Sequence, residues 1–157
     1  MKIDISTLNK KSFIIVLEDE IERQTLWQKM IKRQIECNSR FDGDEELVKE
    51  IDRLKSSFNI MIIQLSKQNK SILEITDEDV KFFERMIRNQ IDISDSRIKD
   101  WEPNGSLRNY WRSNYFAKNP NANDKDFEEV MQKIIQYDID LKECVKELAK
   151  IINVDVQ

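Results

Sequence analysis

No histidine occurs in the 157 residues. That absence removes Ser-His and Cys-His nucleophile pairs, His-based zinc and di-iron sites, and the commonest general base at neutral pH. The two cysteines, Cys37 and Cys144, lie far apart and in no C-x-x-C pattern. They read as inert thiols of a reducing compartment, not as a zinc site or a disulfide framework. Two glycines and two prolines leave almost no turn punctuation, which a β-sandwich or barrel needs about every ten residues. Neither G-x-x-x-x-G-K nor G-x-G-x-x-G is present to cradle a phosphate. The apolar run FIIVL, Phe13 to Leu17, is too short for a signal-peptide core, and no other stretch approaches a membrane span. Together these gaps predict a cytoplasmic, non-enzymatic protein with no cofactor, no metal and no membrane segment.

What remains is aliphatic and charged. A hydrophobic share of 39% beside a net charge of only -4 describes helices with a core, since disorder would need fewer aliphatics and a stronger imbalance. The length suits one domain, residues 1–157, able to bury a core without staples. The bias toward Ile, Lys and Asn over Ala, Gly and Pro suggests an AT-rich genome, as in low-GC bacteria, phages and mobile elements.

Periodicity supplies the elements. Positions 14, 17, 21, 24, 28, 31 and 35 read Ile, Leu, Ile, Gln, Gln, Ile, Ile, a helix seam with a polar middle. A second seam, Leu47, Ile51, Leu54, Phe58, Met61 and Leu65, is accompanied by Ile60, Ile62 and Ile63 on other faces, which predicts the most buried helix of the set. Thr76 ahead of three acids reads as an N-cap, followed by Val80, Phe83, Ile87, Ile91, Ile98 and Trp101 on one side. The poor helix formers of DISDS, Asp92 to Ser96, are candidates for a kink or restart. The strongest seam is the last: Phe127, Val130, Ile134, Tyr137, Leu141, Cys144, Leu148 and Ile151. The predicted fold is all-α, an antiparallel helical bundle of four long helices plus one short aromatic-rich helix. Residues 2–17 read either as helix or, through KIDI and FIIVL, as a short hairpin. No repeat of about twenty to fifty residues is visible.

Carboxylates cluster at Asp42–Glu46, Asp77–Asp79 and Asp124–Glu129. A carboxylate-dependent hydrolase would use such pairs, but each cluster stands where a helix begins and meets the positive end of its dipole. Helix starts are the simpler account.

The stretch SLRNYWRSNYFAKNP, residues 106–120, is the candidate working surface: four aromatic rings and three basic side chains in an otherwise acidic, aliphatic chain. On a helix, Leu107, Tyr110, Trp111, Asn114, Tyr115 and Lys118 share one side, and Arg108 and Arg112 stand one turn apart on an adjoining side. Tyr, Trp and Arg dominate protein interfaces because they combine large buried area with polar tips. Arg108, Tyr110, Trp111, Arg112, Tyr115 and Lys118 are therefore the expected partner-binding residues, with Arg108, Arg112, Tyr115 and part of Trp111 accessible. The competing account is that the rings cap one end of the bundle.

The leading functional expectation is a protein-binding module: an inhibitor, immunity or antitoxin-type factor, or an accessory subunit acting on another protein. The alternative is a small helical subunit contacting single-stranded nucleic acid through the basic aromatic patch 106–118. Three cations on an acidic molecule weigh against it. A homodimer is equally compatible with an exposed seam.

Overall fold

Asn9, Thr76 and Asn123 each turn extended backbone into helix by accepting a hydrogen bond from the amide three residues on. At Thr76 and Asn123 the third helical residue, Asp79 or Asp126, reaches back to the cap amide and completes a capping box. In a computed structural model describing residues 1–155, these caps open three of five helices: α1 (Lys10–Glu36), α2 (Asp44–Ser66), α3 (Asp77–Trp101), α4 (Ser106–Lys118) and α5 (Asp124–Ile151). All three acidic clusters reach into the first turns of helices, as macrodipoles favour. DISDS does not interrupt α3; its Ser94 is buried and the helix runs through.

The fold is an all-α bundle with one addition. Two three-residue strands, β1 (Lys2–Asp4) and β2 (Ile72–Glu74), pair antiparallel with Ile3 opposite Leu73, both buried. KIDI thus finds its strand partner seventy residues away, while FIIVL belongs to α1. A β-branched run can serve either structure, and here Phe13, Val16 and Leu17 bury one helical face.

The strands expose an organisation the sequence hides. The elements run β1-α1-α2, then β2-α3-α4-α5, the same unit twice with α4 inserted in the second. Each residue from 10 to 27 has the same burial as its counterpart seventy positions later. The ribbon is closed reciprocally, by Ile5 N–H on the Ser71 carbonyl and Ile75 N–H on the Met1 carbonyl. Counterparts Phe13 and Phe83 meet with ring centroids 6.2 Å apart. A period of this length lies beyond the window in which a solenoid repeat is sought, and side-chain identity between the halves is sparse.

Helical hairpins α1–α2 and α3–α5 pack on one another. One apolar cluster draws on both strands and all four long helices, with Phe58 stacked on Phe83 at 5.5 Å. The seam of α1 has the expected polar middle: Gln24 and Gln28 are buried, together with Glu20. Gln28 donates to the Val48 carbonyl and to Asp52, tying α1 to α2.

Two expectations are corrected. The second helix is not the most buried, because Ile60 and Ile63 face solvent at 54% and 44% exposure. An amphipathic helix with one hairpin partner and one facing layer cannot bury apolar residues on every side. In α5 the residue carried inward is Asp138, at 3% exposure, whereas Tyr137 is 47% exposed. A seam of strict three and four steps drifts around a straight helix, and the inward direction at this level falls one residue later.

Candidate functional site

Gly105 lets α4 turn back immediately after α3. A β-carbon there would lie 2.1 Å from the Asp100 carbonyl oxygen, so the close approach admits only glycine. The short helix then lies against the end of α3 and the start of α5.

Its orientation reverses one part of the sequence reading. Arg108 is buried, donating to the Trp101 carbonyl at 3.1 Å and pairing with Glu128. Arg112 pairs with Asp124. Both guanidinium groups lie over the buried Phe127 ring, 5.6 and 5.3 Å from its centroid, and Tyr115 and Phe116 pack on the same ring at 5.4 and 5.8 Å. The expected accessibility of Arg108 is therefore wrong, and Tyr115 is only half exposed. The cause is electrostatic and local: acids in the first two turns of α5 attract the arginines, and Phe127 offers them a ring face.

The outward side of α4 is the ring side. Leu107, Tyr110 and Trp111 are 39%, 68% and 44% exposed. Trp111 leans on Trp101 with centroids 6.2 Å apart. Lys118 and Asn114 continue this exposed face, and Lys118 stands in the last turn, where a cation is favourable. The six candidate residues thus divide: Arg108 and Tyr115 dock the helix, Arg112 pairs with Asp124 yet stays exposed as expected, and Tyr110, Trp111 and Lys118 face solvent. The capping account holds for one side and the accessible-patch account for the other.

Two clefts occupy equivalent places in the two halves. One, of about 400 Å³ between α2 and the start of α3, is lined by Arg53, Ser57, Ile60, Met61, Thr76 and Asp79. The other, of about 430 Å³ between α5 and the start of α1, is lined by Asn9, Ser12, Asp140, Glu143, Cys144 and Glu147. The second holds the buried thiol, and burial pushes the Cys144 thiol up to about 12, which disfavours the thiolate at neutral pH. Asp138 has its carboxyl raised above the usual range by burial, with Arg97, 3.6 Å away, opposing the shift. Among the described residues no three His, Cys, Asp or Glu side chains are grouped to hold a metal ion. No helix among them is long and apolar enough to cross a membrane.

Sequence reasoning missed Glu20, Gln90 and Asp138, polar groups inside the bundle. Glu20 accepts from Gln24 at 2.7 Å and lies 3.2 Å from Arg23. Counterparts Glu20 and Gln90 are a polar pair on inward faces, a signal visible only once the seventy-residue offset is known. No family model, curated protein or solved structure matches the chain.

Proposed function

We propose that the protein is a non-catalytic binding module that acts by holding another protein, in the manner of an inhibitor, immunity or antitoxin-type factor or an accessory subunit. One observation carries the reading: α4 is pinned by its arginines and presents Leu107, Tyr110 and Trp111 outward. Rings held on a fixed helix lose little entropy on binding and bring large apolar area, which is what interface anchors require. The nucleic-acid reading is weakened by the same contacts, since Arg108 and Arg112 are paired with carboxylates and only Lys118 of the three cations has no salt bridge among the described residues.

The test is affinity capture from a lysate of the source organism with wild type and a Tyr110→Ala/Trp111→Ala variant. The expected result is a captured protein whose binding weakens by roughly 1 kcal/mol or more per ring in the variant, with little change in thermal midpoint. Capture that is indifferent to both substitutions, or retention on heparin that falls steeply with salt, overturns the reading.

A further inference from the structure

The seventy-residue recurrence of elements and burial supplies a control that a single fold lacks, because any residue the architecture requires should recur at its counterpart. On α1, Leu26 and Met30 are 59% and 61% exposed and Trp27 is 41% exposed. Their counterparts on α3 are Ser96, Arg97 and Asp100, in positions of nearly the same burial. Arg97 there pairs with Asp138. The fold accepts polar residues at these places, so the apolar side chains on α1 are not a demand of packing.

Charge follows the same division. From Arg23 to Cys37 the chain carries four basic residues and one acidic, whereas 93–107 carries two basic and three acidic. Lys29 and Arg33 are exposed beside the apolar stripe, and among the described residues neither has an ion pair, although acids are plentiful elsewhere on the surface. At helical spacing Lys29 and Arg33 lie one turn apart, alongside Leu26 and Met30, which are themselves one turn apart. An apolar stripe bordered by unpaired cations is complementary to an apolar stripe bordered by acids.

We propose that the Leu26-Trp27-Met30 flank of α1 is a docking surface for an acidic amphipathic helix of a partner protein, with Lys29 and Arg33 meeting its carboxylates. The occupant is a protein segment and not a polyanion, because a chain of net charge -4 repels an extended anionic surface while two local cations suffice for a pair of carboxylates. The inference is independent of α4.

The probe is a fluorescein-labelled designed peptide of about twenty residues with a leucine stripe and glutamates on its other faces. It is titrated into the whole protein with anisotropy as the readout. Wild type should bind it and not a scrambled peptide of the same composition. Leu26→Ser/Met30→Asp, which installs the counterpart residues of α3, should weaken binding about ten-fold or more, and Lys29→Glu/Arg33→Glu should do the same while creating affinity for a leucine-lysine peptide. Circular dichroism of each variant must match wild type, and Tyr110→Ala/Trp111→Ala must bind the peptide normally, which separates this surface from α4. Several results overturn the proposal: no preference over the scrambled peptide, binding unchanged in both variant pairs, or tighter use of the same residues by an oligothymidylate or by phosphatidylserine vesicles. A concentration-dependent dimer abolished by Leu26→Ser/Met30→Asp overturns it as well, by assigning the stripe to a second copy.

Discussion

Asp138 occupies a place where an apolar residue would cost less. Its carboxyl is raised because burial disfavours the charge more than Arg97 supports it. A raised carboxyl binds its proton more tightly folded than unfolded, so its contribution to stability is full below the ordinary range near ~4 and is lost as pH rises through the raised value. Asp138→Asn should therefore be as stable as wild type or more so at neutral pH, by up to about 1 kcal/mol, and the difference should narrow as pH falls in urea titrations. Cys144 makes a second residue-scale prediction. With its thiol pushed up to about 12, a thiol reagent at pH 8 should modify exposed Cys37 alone in the native protein and both cysteines after unfolding. Because the unfolded thiol ionises near ~8.5, burial of Cys144 begins to cost stability only as pH rises above that value.

At the scale of elements, capping and docking are separable. Thr76→Ala and Asn123→Ala each remove an oxygen that accepts a helix amide and disrupt a capping box. Each should lower stability by about 1 kcal/mol in chemical denaturation. Helix α4 should respond differently on its two sides. Arg108→Ala removes a buried guanidinium from Glu128, from the Trp101 carbonyl and from the Phe127 face. Glu128 keeps partial access to water, at 47% side-chain exposure, so the cost should be about 2 kcal/mol, below that of breaking a fully buried pair. Tyr110→Ala, on the solvent side, should shift stability by less than about 0.5 kcal/mol. Equal losses at both positions would show that α4 is buried on both sides.

For the whole molecule, the two halves share one core and are expected to fold as one unit. The apolar cluster takes residues from both halves, and Phe13, Phe58 and Phe83 join across them. Unfolding should be one transition, with helix signal and tryptophan fluorescence coincident even though Trp27 lies in the first half and Trp101 and Trp111 in the second. Phe83→Ala should lower the midpoint of that single transition, at a cost of about 3 to 5 kcal/mol. Two resolved transitions would mean that each half folds by itself.

The sequence alone determined what local chemistry controls. Caps at Thr76 and the acidic helix starts depend on neighbours within four residues, and the scarcity of Gly and Pro excludes turn-rich folds whatever the packing. Periodicity named the four long helices and the polar middle of α1. Tertiary structure alone decided the direction in which ambiguous faces turned. Ile60 and Ile63 are as apolar as the core, and only the placement of α3 and α5 leaves them outside. Arg108 is as charged as any surface residue, and only the position of Glu128 and Phe127 brings it in. The ribbon required Ile3 to meet Leu73, a contact between residues too distant for either tripeptide to specify. Local propensity fixes which segments are helical, whereas burial is a property of pairs of segments and is settled by their mutual fit.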